Sequence, residues 1–563
     1  MTKKIFSLVF ILTGIAAITG CTKLKEQVLD ESSVVGLTAK QQAEGVIAPV
    51  YAKLEDIFMH TTYFSLQEIS TDEAILPFRG GTDWGDNGIY QQVHKHENIS
   101  SDVNVRNTWN HTLIGLSRAV TAINSLPTNS YSDAPIFLAE ARGMRAYYCM
   151  LTLDLYGLIF VKETPDETSK ILRGEEAIAY IKSELLAVET ILDNTNGPGR
   201  LTKAAVQGLL ARLYLNAAVY RDVYAASFTF KNEDMDKVIE YCDKIIASAQ
   251  FTLSPDYFAI FNDNNHTNKE LIFAVDQRAD LGNGHNRLGY FSLSGDHFPL
   301  PAYPAANGTD GPGITPEFYR TWVNAYTPLD PAAADPRFYR QNLVVPIDSC
   351  VQRATFNLDR GILRGQQYGL IRVSGAFVNC GTNGLKVGKL FNTTRAGSTS
   401  VPVNFTEQID YTIAGSGYST GYRVSKYEYS KTSVTGRNFG EHDIVILRLA
   451  DIYLMRAEAK LRKGGADGTA LADVNIVRTS RTSTPVRAAP LTTITLDLLF
   501  RERGFEFYWE MLRRPDMIRF GKYEGTWTEK TSTDKQKRIF PVPQTAIDGA
   551  SNLPGYLVQN PGY

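Results

Sequence analysis

Glu502, Glu506 and Glu510 recur every four residues within LDLLFRERGFEFYWEMLRRPDMIRF (496–520), so a helix there lines them along one edge. Retaining glycosidases hold two carboxyls about 5–5.5 Å apart, and this spacing invites that comparison. The same stretch carries Arg503, Arg513 and Arg514 within a turn of the acids. Catalytic acids converge on a cleft from different elements, whereas these share a helix with their own arginines, which reads as a structural Glu–Arg network. Asp72 with Glu73 is the other acidic pair open to nomination. No nucleophile–base arrangement, zinc spacing or glycine-rich phosphate loop accompanies either set. His94-x-His96, on an alternating segment, reads as an exposed pair rather than a metal site. No metal and no cofactor is expected.

A different chemistry is offered by rings set among short polar side chains on loops, the mixture of a ligand-stacking surface. Arg79, Asp83, Trp84, Asn87 and Tyr90 supply it within TDEAILPFRGGTDWGDNGIY (71–90). Tyr290, Phe291, Tyr303 and Asn307 supply it again within HNRLGYFSLSGDHFPLPAYPAANGTDGPG (285–313). Trp322 is a further candidate, although its apolar neighbours recur at helical spacing, as core residues do. In each segment the ring could instead pin its loop to the scaffold. Trp109 and Trp509 sit within helical patterns and read as packing residues; Trp527 carries no assignment.

The elements that must hold these loops are helical. Residues 38–58, with Pro49 as a kink, and 103–126 read as helices, and 134–157, 174–192, 202–220 and 234–249 show helical periodicity and many alanines. They fall into pairs, a helix rich in small residues followed by an amphipathic one, which is the pattern of a tetratricopeptide-like solenoid. From 251 to 435 Pro, Gly, Asn and aromatics replace that period, and short strands are expected. Helical patterning returns at 443–463, at 467–481 and at 496–520, where Pro515 should break or kink the last helix. Gly504, costly inside a helix, implies a close neighbour. The expected fold is therefore mostly α, a helical-pair scaffold with a loop-rich irregular insert. Its parts are 38–250, 251–435 as the ligand face, and 436–563 packing back on the scaffold.

Composition excludes some classes. With 43% hydrophobic and 21% charged residues the 563-residue chain is globular rather than disordered. A formal charge of −2 without a long basic run argues against nucleic acid. Lys3 and Lys4 precede an apolar run, Ile5 to Ile18, too short to span a bilayer but suited to a secretory signal. It ends Ile18-Thr19-Gly20-Cys21, similar to a bacterial lipoprotein box, so residues 1–20 read as a signal peptide, Cys21 as the lipidated residue and 21–37 as a tether. Cys149 and Cys242 fall on apolar helical faces and should be buried. Cys350 and Cys380 lie where oxidation is possible in an exported protein, and whether they bridge is left open.

Taken together these segments resemble the SusD/RagB family of nutrient-binding lipoproteins. The resemblance rests on EARGMRAYYCMLTLDLYG (140–157), GRLTKAAVQGLLARLYLNAA (199–218), LRLADIYLMRAEA (447–459), ALADVNIVRTSR (470–481), RERGFEFYWEMLRRPDMIRFG (501–521) and LVQNPGY (557–563), in that order behind a lipobox. It implies four tetratricopeptide-like helix pairs beneath a variable ligand face. It also implies no catalysis, capture of oligosaccharide or polysaccharide, and delivery to a SusC-like TonB-dependent transporter at the outer membrane, facing the cell surface. Peptide or another nutrient as ligand, a helical-repeat adaptor and a surface glycan hydrolase are the alternatives. The residues after Cys21, TKLKEQ, depart from the acidic cluster common among surface-exposed members.

Overall fold

The structure is a computed structural model and describes residues 37–79, 88–126, 132–278, 286–298, 308–343, 349–374, 376–412, 417–431, 440–465 and 468–563. The expected signal peptide 1–20, Cys21 and the expected tether up to residue 36 lie outside the described residues, as do Asp83, Trp84, Asn87, Tyr303 and Asn307.

The fold is mostly helical. Its ladder begins with α1 (Ala39–Ile57), opened by a capping box in which Thr38 and Gln41 satisfy each other's backbone amides. Pro49 lies inside α1, and its carbonyl accepts from Arg118. A short helix α2 (Ile89–Lys95) precedes α3 (Val103–Ser125), α4 (Ala134–Tyr156), α5 (Gly174–Glu189), α6 (Lys203–Arg221) and α7 (Asn232–Ala247). Apart from α2, each packs on the next, and α1 packs on α3. Small residues set the spacing. A Cβ on Gly115 of α3 would lie 2.5 Å from the Tyr148 ring of α4, and one on Gly208 of α6 would lie 2.1 Å from Leu447. Helix α8 (Pro316–Tyr326) follows in the insert. The ladder is then extended by α9 (Leu449–Arg462), which packs on α7, and by α10 (Thr469–Thr479), which packs on α9.

The helical expectation for 443–463 is corrected at its start. Ile444–Arg448 is a strand, antiparallel to Leu271–Val275, and both strands are buried throughout. A short apolar run flanked by helix cannot be told from helix by period alone, and here the β-branched Ile444, Val445 and Ile446 favour the strand. Residues 339–425 form small antiparallel sheets, one of which joins Cys350–Gln352, Gly384–Lys389 and Asn379–Cys380. Cys350 and Cys380 are joined by a disulfide within it. Cys149 and Cys242 are free and buried.

The 496–520 stretch is two helices, not one. Helix α11 (Leu496–Phe507) and α12 (Arg513–Arg519) are separated by a turn in which Trp509 and Met511 adopt positive φ of 65° and 61°. Such backbone is costly for bulky residues and persists only where the surroundings enforce it. Glu73 accepts the Trp509 amide at 2.6 Å and Glu68 accepts the Met511 amide, which holds the turn from a distant part of the chain. Pro515 falls in the first turn of α12, where its missing N–H costs nothing. Trp509 is thus a packing residue, but outside a helix. Gly504 does meet a close neighbour: a Cβ there would lie 2.7 Å from the Arg513 guanidinium.

The glutamates form the expected ion-pair network; apart from Arg501, which meets Glu502 from the same helix at 3.2 Å, its cations come from other segments. Glu506 meets Arg337, Arg448 and Arg481; Glu502 meets Arg337 and Arg478; Glu510 meets Arg448 and Lys426. Burial alone would raise the Glu506 carboxyl, yet its three arginines hold it well below the usual carboxylate range. Arg503, Arg513 and Arg514 are spent elsewhere, on Asp451 and Asp516, on Asp72, and on Asp154.

Candidate ligand-binding face

Residues 286–298 form a spine to which several loop ends are tied. Asn286 bridges Gly440, and the Ser430 amide donates to the Tyr290 hydroxyl at 2.7 Å. The Thr309, Asp310 and Gly311 amides donate to the carbonyls of Tyr290, Leu293 and Phe291. Arg423 donates to Ser292 O at 2.8 Å and to Tyr418 O at 2.7 Å. Arg79 completes the set. Its guanidinium donates to Asp310 O, Gly311 O, Gly417 O and Thr420 O, at 2.7 to 3.1 Å. At least one described end of each of five segments, 80–87, 279–285, 299–307, 413–416 and 432–439, therefore joins one hydrogen-bonded platform.

Two further arginines clamp the ends of 299–307: Arg372 donates to Phe298 O, and Arg395 to Thr309 O at 3.1 Å. Burying guanidiniums has a cost. Burial, reinforced by Arg423, lowers Arg79 well below its ordinary value, and burial lowers Arg423 to about 10, with Asp310 offsetting part of both shifts. Burial in turn raises the Asp310 carboxyl.

Arg79, Tyr90, Tyr290 and Phe291 are brought together here, yet all four are buried, with exposures of 2% or less. The expectation that they face a ligand is corrected: Arg79 is a tie between loop ends, and the rings form the platform's floor. Tyr90 lies 6.2 Å from Phe291, Phe291 packs edge-on against His60, and Tyr290 packs on Phe298. Trp322 is not part of this face. It sits fully buried on α8, its indole stacked 3.7 Å from the Phe505 ring of α11, so its helical pattern was that of core. Asp83, Trp84, Asn87, Tyr303 and Asn307 belong to the segments whose ends the platform gathers.

His94 and His96 are buried rather than exposed, and their ring nitrogens face backbone carbonyls, which only accept: His94 Nδ1 lies 3.0 and 3.1 Å from Ile69 O and Ala74 O, His94 Nε2 2.7 Å from Thr528 O, and His96 Nε2 2.7 Å from Ser70 O. Burial lowers the pKa of each. Trp527 is 7% exposed, with the Lys530 ammonium 4.2 Å from its ring. Among the described residues no His, Cys, Asp and Glu group could hold a metal ion.

Two tyrosines that were not singled out in the sequence now stand at the edge of this face. Tyr411 and Tyr418 flank residues 413–416 and are half-buried. Lys95 lies 5.2 Å from the Tyr411 ring, and Ser419, beside Tyr418, accepts from Asn392 at 3.0 Å. Their signal lies in DYTIAGSGYS (410–419), which sets two rings among small polar residues, as 71–90 and 285–313 do.

The SusD family model matches residues 269–563, more than half of the chain. The chain belongs to the SusD family. It is 27% identical over 536 residues to the starch-binding protein SusD of Bacteroides thetaiotaomicron, covering 90% of this chain and 86% of that relative. Among solved structures it resembles a SusD superfamily protein from Parabacteroides distasonis, with 18% identity, a TM-score of 0.66 and coverage of 94% of this chain and all of that one. The surface glycan-binding protein A from Bacteroides thetaiotaomicron in complex with laminarihexaose matches at 18% identity and a TM-score of 0.63, over 92% of this chain and 99% of that one. These structural likenesses establish the SusD-like fold that the helix ladder and small sheets had indicated.

Proposed function

We propose that this SusD-family chain is a non-catalytic glycan-binding protein, lipid-anchored through Cys21 to the outer membrane. It captures oligosaccharide on the loop face and passes it to a SusC-like TonB-dependent transporter. One observation carries the reading: the five loop ends gathered by Arg79 and the 286–298 spine sit in a chain alignable over 90% of its length with a starch-binding protein. Sugar rings offer C–H faces to aromatic planes and hydroxyls to Asn, Asp and Arg. Asp83, Trp84, Asn87, Tyr303 and Asn307, with Tyr411 and Tyr418 at the edge, supply both.

Absence of catalysis is supported by where the nominated acids end. Glu502, Glu506 and Glu510 are consumed by arginines and lysine in the interior, Asp72 is paired with Arg513, and Glu73 is sealed beneath Trp509. Stacking on a few rings gives weak binding, micromolar to millimolar, about −4 to −8 kcal/mol. The test is calorimetric titration of the soluble form that starts after Cys21 with starch- and laminarin-derived oligosaccharides. Trp84→Ala should weaken binding and leave the melting temperature unchanged; unaltered affinity would remove Trp84 from the site. Mass analysis of the membrane-extracted N-terminus, with Cys21→Ala as control, tests the anchor. Co-purification of a TonB-dependent barrel tests the partner.

A further inference from the structure

We infer a second saccharide site on the helical side of the molecule, in a groove that wraps around the turn 194–200. Two cavities of about 560 and 540 Å³ lie on either side of this turn and share Thr195, Asn196 and Gly197 as their common wall. Each has the volume of a small-molecule site. Neither is lined by any of the residues that tie the loop face together.

The first cavity faces one stripe of α1. Glu44, Ile47, Ala48, Tyr51, Ala52 and Glu55 recur at three- and four-residue spacing and point at the turn. Alanines at 48 and 52 open the space between the larger side chains. Across from them stand Val275, Asp276 and Arg200. Arg200 is oriented from behind: its Nε and Nη2 meet both oxygens of the buried Glu140, at 3.1 and 2.7 Å, and Tyr51 donates to the same carboxylate at 2.8 Å. About a third of the Arg200 side chain remains exposed.

The second cavity is lined by the Phe251 ring, Asn194, Asn268, His266 and Lys269. The Ala204 amide donates to Asn194 Oδ1 at 2.8 Å, and the Glu270 amide donates to Asn268 Oδ1 at 2.9 Å. That fixes both amide groups with their NH₂ ends as the donors available to a ligand. The turn itself is pinned at both ends. Lys203 N donates to Asp193 O, Ala274 N to Pro198 O, and Leu201 N to the Tyr51 hydroxyl. A Cβ on Gly199 would lie 2.8 Å from Asp276, so glycine lets the turn seat against the strand end. A wall fixed in this way binds without an ordering cost.

The ligand class follows from these groups. Phe251 on one side and Tyr51 on the other, both half-buried, offer apolar faces to ring C–H groups. Asn, Thr and Arg donors stand beside them for hydroxyls. Asp276 is paired with Arg278 and Arg200 with Glu140, each at 2.7 Å, so these charges are already matched, while Glu44 and Glu55 disfavour an anionic sugar; the fit is to a neutral oligosaccharide laid across the turn. That this groove serves the same kind of ligand as the loop face rests on the function proposed above; the groove's own chemistry does not.

The experiment is calorimetry and ligand-observed NMR with maltoheptaose and laminarihexaose on the soluble chain, alongside Phe251→Ala, Ala48→Trp and Trp84→Ala. Circular-dichroism melts confirm that each variant is folded. The expected result is two sites for at least one sugar. Phe251→Ala and Ala48→Trp should each weaken one of them at least tenfold, and Trp84→Ala should weaken only the other. One site, lost in Trp84→Ala and unaltered in both groove variants, overturns the second site and leaves the loop face standing. One site, lost in the groove variants and unaltered in Trp84→Ala, keeps the groove and overturns the loop face. No binding at millimolar sugar overturns both.

Discussion

Around α11 the buried arginines end chiefly on carboxylates, with single carbonyl contacts beside them; beneath the loop face they end on backbone carbonyls. Arg337, Arg448 and Arg481 converge on Glu506. Arg79 and Arg423, as deeply buried, reach Asp310, Gly311, Ser292, Tyr418 and Thr420 through main-chain oxygens. A carboxylate partner requires a particular residue type at a particular place, so the scaffold network is written into side chains on both sides of every pair. A carbonyl partner makes no such demand. Loop ends held by their backbone stay in place whatever side chains the loops display between them. The scaffold is thereby fixed by sequence, and the ligand face is left open to variation on a constant base.

The sharpest way to break this comparison is at its charged end. Glu506→Ala leaves three buried guanidiniums facing one another without their shared carboxylate, and removing one partner of a buried pair costs about 3–5 kcal/mol. Chemical denaturation should show a loss of that size. Oligosaccharide affinity, measured on the folded fraction, should be unchanged. A loss below about 1 kcal/mol would mean that the network is dispensable.

Arg79→Ala should be smaller and of a different kind. It strips donors from four buried or half-buried carbonyls, at about 1–3 kcal/mol for a group left unsatisfied. Lysine cannot restore a planar fork that reaches four acceptors, so Arg79→Lys should recover little. Both variants should lose oligosaccharide affinity, because they loosen the ends of the segments that carry Trp84 and Tyr303. Stability lost with affinity intact would show that the loop ends do not depend on this tie.

Much of the scaffold was legible in sequence. The bounds of α1 and α3 through α7 followed from apolar period and small-residue spacing, since both are local. The break at Tyr508–Leu512 was not, because the carboxylates that hold Trp509 and Met511 in positive φ sit at Glu73 and Glu68, more than four hundred residues earlier. The acids of the network were legible, but Lys426, Arg337, Arg448, Arg478 and Arg481, all their partners except Arg501, lie on other segments that no helical period links to α11. On the ligand face the segments were easier to find than the residues. Tyr290 and Phe291 sit among glycine and short polar residues just as a ligand-facing ring would. What separates floor from surface is burial by segments 308–314 and 423–430, a long-range fact. Trp322 did carry the warning, in its helical apolar neighbours.

The turn between α11 and α12 adds a pH dependence confined to the scaffold. Burial raises Glu73 to about 8, and burial with the Glu73 charge pushes Glu68 well up, against the pull of Arg513 and Lys426 on both. Each carboxyl keeps one oxygen, Oε2, with no hydrogen-bond partner. A folded-state pKa above the unfolded one means that the native chain holds its protons longer. The contribution is intact below the ordinary glutamate range and is lost as pH rises to about 8. Glu73→Gln keeps an acceptor for the Trp509 amide and removes the ionisation. It should raise the melting temperature by a few degrees at pH 8–9 and leave it unchanged near pH 5. An equal shift at both pH values would show that Glu73 does not titrate in this window.

The smallest effect on stability should come from the open end of the comparison. The Tyr418 backbone carbonyl, not its ring, takes the Arg423 hydrogen bond, so Tyr418→Ala leaves the platform's tie in place. A half-buried ring at the edge of the face contributes to stability within about 0.5 kcal/mol. If that ring stacks on a sugar, its loss should cost about 0.5–1.5 kcal/mol of binding, a two- to tenfold weaker Kd. Tyr418→Phe separates ring from hydroxyl: retained affinity assigns the contact to the aromatic face, and affinity lost with the hydroxyl assigns it to a hydrogen bond. If Tyr418→Ala binds oligosaccharide as the parent chain does, the edge of the face is set by Trp84 and Tyr303, and the comparison narrows to loops whose ends alone are fixed.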